Sequence, residues 1–210
     1  MDQKEFSPSE RKEFPEQESL QEEAIKEKER RGFLGEVWDW TKAIAIALLL
    51  AYLIRTFLFA PTIVDGESMK ETLQNQERLI VNKIVYLFHP PQRGDIIVFH
   101  AIQGKDFIKR VIGVAGDRIE MKGDRLYING KEVPETYLEK NKAAWKGPGP
   151  YTNDFTVDRV PDGTVFVLGD NRVNSTDSRI LGPISLDRVV GRADLSFWPI
   201  DQIRLLHSWW

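Results

Sequence analysis

One apolar run divides this 210-residue chain and decides most of what it can become. It begins at Ala43, continues unbroken to Ile54, is interrupted only by Arg55 and Thr56, and resumes as Phe57, Leu58, Phe59 and Ala60 before Pro61. At ~1.5 Å per residue, a helix over residues 43–60 covers roughly 27 Å, close to the ~30 Å hydrocarbon thickness of a bilayer. The run therefore predicts one transmembrane helix. Arg55 costs least near an interface, where its long stem lets the guanidinium reach the headgroups. Trp38 and Trp40 stand where an aromatic belt belongs. Lys26, Lys28, Arg30, Arg31 and Lys42 precede the run, and only Arg55 and Lys70 follow it closely. This asymmetry predicts a single pass with a cytoplasmic N-terminus and the remainder on the outer side. A cleaved leader is disfavoured by the long charged region ahead of the run, and by Leu58 where a cut after Ala60 would need a small residue. A buried core helix would require an equally apolar partner helix, which the chain does not offer.

The flanks differ in texture. Residues 1–31 are rich in Glu, Gln, Lys, Arg and Ser, and cannot bury enough surface to offset the entropy of ordering. They read as a disordered or weakly helical tail, with a solvated Glu/Lys helix conceivable over residues 18–31. Residues 32–60 form the anchor and its flank. From Thr62 onward, short β-branched runs alternate with turn residues, and the expected strands lie at 78–82, 95–100, 107–112, 118–121, 125–128, 164–168 and 193–197. The fold class is mainly β. Lys122-Gly123-Asp124 and Asn129-Gly130 read as hairpin turns, so 118–133 should be a three-stranded meander. The expected organisation is a β core from 61–117 and 156–200, a small accessory β region with a surface loop at 118–155, and a tail at 201–210. Ser185 is positioned to cap a short helix ending near Val189.

Composition removes several functions. Without cysteine there are no disulfides, thiolate metal sites or thiol nucleophiles. A net charge of -3 supplies no basic field for nucleic acid phosphates. What remains is hydroxyl, amine and carboxylate chemistry.

Ser68, in Val64-Asp65-Gly66-Glu67-Ser68-Met69 just beyond the apolar run, is a candidate nucleophile, though loop serines mostly hydrogen-bond locally. A serine hydroxyl needs a base. His89 stands in a Pro-rich loop, His100 ends a strand and His207 lies in the tail, so none is placed for a Ser-His arrangement. A lysine serves the same purpose if burial lowers its pKa. In the strand around Phe107-Ile108-Lys109-Arg110, alternation puts Phe107, Lys109 and Val111 on one face and Arg110 on the other. Lys109 is thus a candidate base, against the plain reading of an exposed strand lysine. Residues 169–179 follow an apolar strand and hold Asp170, Arg172, Asn174, Ser175, Asp177 and Arg179. So many polar groups at the end of a buried strand need mutual partners, since each unpaired one costs ~1–3 kcal/mol. Asp170 and Asp177 can accept from Arg172 or Arg179, and Ser175 can bond a lysine amine. A calcium loop is the competing reading, but two arginines repel a cation and the ligand spacing is not that of an EF-hand.

Taken in order, Arg55-Thr56-Phe57 with Pro61, Gly66-Glu67-Ser68-Met69 with Thr72-Leu73, Arg93-Gly94-Asp95, residues 107–113 with Gly116-Asp117, and residues 169–179 resemble the type I bacterial signal peptidases. The resemblance covers roughly residues 55–199, and the single anchor looks like the compact form of that family. It implies a β catalytic core with a small inserted β region, preceded by one transmembrane helix. The implied activity is a serine endopeptidase that removes signal peptides from exported precursors, outside the membrane and after small residues. It also implies Ser68 as nucleophile, Lys109 as general base, Ser175 orienting the lysine, and Asp177, Arg179, Asp170 and Arg110 as a supporting network. Precursor backbone would pair along Ile63, Val64 and Asp65 and along Asp106, Phe107 and Ile108, with Met69 lining the site. The implied partners are secretory precursors and membrane lipid, with no nucleic acid, metal or cofactor. The chain departs from the family at two places. Glu71 stands where proline is usual. Gly66 stands where some members place a serine hydroxyl in the oxyanion hole, so the hole rests here on backbone N–H groups, chiefly that of Ser68, with Gly66 leaving room for close approach. Two other functions compete: a self-cleaving repressor, which needs a helix-turn-helix where the apolar run lies, and a non-enzymatic anchored scaffold presenting the 169–179 loop.

Overall fold

A computed structural model describes residues 35–55, 59–101 and 104–206. The readings on the tail at 1–31, on Thr56 to Leu58, and on His207 and the terminal tryptophans lie outside the described residues. The chain separates into two compact units, Met1–Tyr52 and Leu53–Trp210.

The described part of the first unit is helical. Helix α1 occupies residues 35–53 and exposes Ile44, Ile46, Leu48, Leu49 and Leu50, each more than half accessible. Among the described residues, no helix is long and apolar enough to cross a membrane. The helix expected over 43–60 is also shorter than drawn. Phe59 and Ala60 belong to strand β1 (Phe59–Ile63), which pairs antiparallel with β2 (Arg78–Asn82). Pro61 is tolerated there because β1 is an edge strand, where one missing N–H breaks no second ladder.

The second unit is two sheets. After α2 (Val85–Phe88), the chain forms β3 (Ile96–His100), β4 (Asp106–Val114), β5 (Ile119–Lys122), β6 (Arg125–Ile128), β7 (Lys131–Val133), α3 (Glu139–Ala144), β8 (Phe155–Val157), β9 (Thr164–Leu168), α4 (Ser178–Leu181), β10 (Ile184–Ser185), β11 (Val189–Trp198) and β12 (Arg204–Leu205). The large sheet runs β1-β2-β11-β3-β4-β9-β10, with β12 also paired to β11; the small one runs β7-β6-β5-β8. β3 shows why four consecutive apolar residues make a strand. Ile96 and Val98 enter one core with Val64, Met69, Leu79 and Ile108, while Ile97 and Phe99 enter another with Val111, Val165 and Val167. A sheet covered on both faces has no polar face to alternate with. A third core, built on Ile112, Ile119, Met121, Leu126 and Phe166, joins the small sheet to the large one.

Both expected hairpin turns form. Gly123 and Asp124 have φ of 55° and 63°, and Asn129 and Gly130 have 52° and 80°, so each two-residue loop meets the left-handed requirement of a tight hairpin. Three expectations need revising. The meander gains a fourth strand, β8, paired with β5. The loop at 140–153 contains most of α3 and buries Asn141, Tyr151 and Thr152, because its polar groups find partners in the core rather than in solvent. The tail after 200 is part of the sheet, with β12 on β11 and Leu206 in the first core. Ser185 precedes a 3-10 turn (Leu186–Arg188) but does not cap its backbone; its hydroxyl bonds the Asp187 carboxylate instead.

Candidate active site

β4 supplies two adjacent cations, both buried: Lys109 is 3% exposed and Arg110 1%. As the alternation predicts, they go opposite ways. Lys109 Nζ lies 2.7 Å from Ser68 Oγ and donates to the Ile108 carbonyl at 2.9 Å, and it stands 5.0 Å from the centre of the Phe107 ring. Burial lowers its pKa to about 8, against the opposing pull of Asp177 and Asp170. Arg110 forms a bidentate pair with Asp170, at 2.9 and 2.7 Å, donates to the Gly94 carbonyl, and stacks 4.0 Å above the Tyr137 ring.

Asp170 is the hub of the polar network. Its carboxylate also accepts from the Thr72 hydroxyl at 2.6 Å, and its carbonyl accepts from Asn141 Nδ2 and the Tyr151 hydroxyl, each at 2.9 Å. The turn after Ser68, the strand carrying Lys109 and the accessory region thus meet at one residue. Of the two arginines the sequence offers to these aspartates, Arg172 turns its guanidinium elsewhere and is buried against Glu135 of the accessory region. Arg179 does reach Asp177, through two bonds of 2.8 Å. Burial acts to raise the Asp177 pKa, but Arg179 and the Gly169 N–H outweigh it and hold the carboxyl below its ordinary value. Among the described groups Ser175 makes no hydrogen bond to Lys109; its Oγ is buried and acts on the Asp177 carboxylate instead, helping to hold that group's pKa down. It packs against Gly169, where a Cβ would collide with both Ser175 Oγ and the Ser68 carbonyl oxygen. The His89 ring bonds the Pro90 carbonyl, and His100 pairs with Asp106 at 2.7 Å, so neither of the described histidines is bonded to Ser68.

All the substrate-side residues named from the sequence line one cleft of ≈ 290 Å³: Ile63, Val64, Asp65, Met69, Asp106, Phe107 and Ile108, together with Gly66, Ser68 and Lys109. Asn174 and Thr176 close it from the 169–179 loop. Both walls have an unpaired strand edge. Val64 N–H and C=O bond back to Glu77 and Gln76, which directs the backbone groups of residues 63 and 65 toward the open side. On β4, pairing with β9 begins only at Arg110, so residues 106–109 are bonded to β3 alone.

The two departures from the family pattern acquire physical reasons. Gly66 has φ of 106° and nothing within 4 Å of a Cβ placed there, so glycine is needed for backbone conformation and not for close approach. Glu71 has φ of 73°. Proline fixes φ near ~−65° and cannot occupy that position in this conformation.

Residues that sequence reasoning missed are Asn141, Tyr151, Glu135 and Glu77; Asn171 lies in the 169–179 loop singled out as a polar network, though without a role of its own. Glu77 is 1% exposed and accepts from Gln74 N–H, Ser196 and Arg204. No periodic pattern marks such positions; the only signal was the abundance of arginines needing buried acidic partners.

Comparison with known proteins follows from this geometry. Residues 37–198 match the family described as signal peptidase, peptidase S26. A signal peptidase I of Bacillus amyloliquefaciens is 47% identical over 180 residues, covering 85% of this chain and 97% of its own. Signal peptidase I P of Bacillus subtilis subsp. natto is 49% identical over 182 residues, with the same two coverages. A crystal structure of a signal peptidase I from Enterococcus faecalis V583 is 41% identical, covers 49% of this chain and 95% of that one, and has a TM-score of 0.47.

Stability should respond differently at three positions. Arg110→Ala strands the Asp170 carboxylate in the interior and should cost about 3–5 kcal/mol in denaturant unfolding. Arg118→Ala breaks an exposed contact of 3.8 Å to Glu120 and should change stability by no more than about 0.5 kcal/mol. At Glu71, glycine should raise the unfolding free energy by up to about 1 kcal/mol by relieving the positive φ, and proline should lower it by more than that.

Proposed function

The chain belongs to the signal peptidase family, peptidase S26, and from that membership we propose that it is a membrane-anchored serine endopeptidase that removes signal peptides from exported precursors, cutting after small residues of the Ala-x-Ala type. The observation that carries the mechanism is the 2.7 Å contact between Ser68 Oγ and the buried amine of Lys109. Neutral Lys109 takes the Ser68 proton as Oγ adds to the scissile carbonyl, and the Ser68 N–H receives the developing oxyanion. Lys109 then passes the proton to the leaving amine. A water molecule, deprotonated by the same amine, releases the acyl group from Ser68. No other base is needed.

The precursor enters as an extended strand between the free edges at 63–65 and 106–108, a β-augmentation mode in which backbone bonds give affinity and pockets give specificity. Buried Val64, Met69 and Ile108, at 4%, 1% and 8% exposure, make a closed apolar floor that suits small side chains. Asp177, Arg179, Asp170 and Arg110 hold the site together, and the proposed role of Ser175 is to orient the lysine. The proposed location is the cell membrane, single-pass, with the N-terminus cytoplasmic and the catalytic unit outside. What supports it is the ring of exposed aliphatic side chains on α1, a contiguous apolar surface that requires cover. The proposed domain plan keeps 118–155 as the accessory region and 61–117 with 156–200 as the catalytic core, and differs from the sequence reading in that residues 204–206 pair with or pack on that core.

Ser68→Ala and Lys109→Met should each abolish conversion of a secretory precursor to its shortened product. The lysine variant should melt at the same temperature or higher, because it removes a buried charge. Near-normal turnover by either contradicts the mechanism. The pH dependence has a definite sign: the base must be neutral, and its pKa is lowered to about 8. kcat/KM should therefore climb about tenfold per unit at acid pH and level off above about 8; a flat acid limb would show that Lys109 is not the base.

A further inference from the structure

Resting on the reading of Ser68 as nucleophile, we propose that Asn171 is a positioning residue that aims the oxyanion-binding N–H of Ser68. Asn171 grips both peptide groups beside the nucleophile. Its backbone N–H donates to the Ser68 carbonyl at 2.9 Å, and its Nδ2 donates to the Glu67 carbonyl at 3.1 Å. The Glu67 carbonyl also accepts from Lys70 N–H at 3.0 Å.

The Glu67 carbonyl and the Ser68 N–H belong to the same peptide group, and in a planar trans peptide they point in opposite directions. Two donors pulling the Glu67 oxygen toward residues 70 and 171 therefore turn the Ser68 N–H the other way. That N–H donates to no described protein group, and the cleft lined by Gly66, Ser68 and Lys109 lies beside it. Hydrogen bonds to a carbonyl also polarise the amide and strengthen its N–H as a donor. The orientation matters more here than where a neighbouring hydroxyl assists, because Gly66 contributes no side chain to the hole.

The clamp itself is well held. Asp170 on one side is locked to Arg110, and Arg172 on the other to Glu135, all four at 9% exposure or less. Two buried ion pairs flank one small amide whose side chain bonds the peptide carbonyl before the nucleophile. On this reading, the polar network delivers Asn171 to the Glu67–Ser68 peptide.

The test uses the full-length protein in detergent or vesicles, with two variants. Asn171→Asp keeps the shape but replaces the donor with an acceptor, and Asn171→Ala removes it. Two probes are compared: a peptide aldehyde with alanine at its end, to which Ser68 adds while its proton passes to Lys109, and the same peptide as its amide, which cannot form that adduct at an appreciable rate. Removing one donor from such a hole typically costs about 10²–10³ in kcat, and misaiming one should cost about 10–100-fold. The expected result is a kcat loss of that size with KM nearly unchanged, greater for Asp than for Ala. Aldehyde affinity should fall by the same factor, amide affinity should hold, and the acid limb near pH 8 should not move. A purely structural role predicts equal losses for both probes, and that result, or no loss, overturns the inference. Should Asn171→Ala not fold, the isosteric Asn171→Asp decides alone. If Ser68→Ala retains turnover, the nucleophile assignment has failed; if only the Asn171 variants are normal, this inference has failed and the assignment stands.

Discussion

The bidentate pair between Arg110 and Asp170 is the contact on which the arrangement of the site depends. Ser68 and Lys109 are 41 residues apart (109 minus 68) and come from a loop and a strand that share no hydrogen-bonded ladder. Each is tied to Asp170 instead: Lys109 through its neighbour Arg110, and the Ser68 turn through Thr72 and through Asn171. A buried ion pair is weak grounds for stability, since desolvation consumes most of its Coulomb energy. Its consequence here is geometric. A two-point pair fixes distance and orientation together, and with the strand fixed to the loop, the amine meets the hydroxyl at bonding distance.

The same burial governs the chemistry. An amine in water holds its proton at neutral pH and cannot act as a base. In the apolar surround of Lys109 its charged form loses hydration, while Asp177 and Asp170 partly restore it. The carboxylates are restrained by their own arginines, Arg179 and Arg110, which limits how strongly they stabilise lysine's charge. On the proposed mechanism, the arginines of the 169–179 loop region and β4 therefore act on the Lys109 amine at one remove, by occupying the acids that would otherwise keep it protonated.

Much of this was legible in the sequence because the relevant signals are periodic or local. Alternation along β4 separated Lys109 from Arg110, Asn129-Gly130 marked its turn through left-handed backbone, and the apolar run of β3 marked a strand. What stayed hidden depends on long-range pairing. Nothing around Asn141, Tyr151 or Glu135 indicates that the loop bearing them folds back onto residues 170–172. The Arg172 partner could not be chosen among several acids by spacing alone. The end of α1 was misplaced because Phe59 and Ala60 suit an apolar helix and a β edge equally well, and pairing with residues 81 and 82 decided between them. Glu71 was read as a missing proline, whereas its backbone conformation excludes one.

The central claim is that a buried, readily deprotonated Lys109 serves Ser68, and its most direct test is to titrate that amine. With lysine labelled at its ε carbon, the Lys109 resonance can be assigned by its loss in Lys109→Met and followed by NMR from pH 6 to 11. The account predicts that the Lys109 amine titrates near pH 8, well below the ~10.4 of a lysine side chain in water. If Lys109 instead titrates near that ordinary value, the amine is protonated at working pH and the proposed mechanism is contradicted.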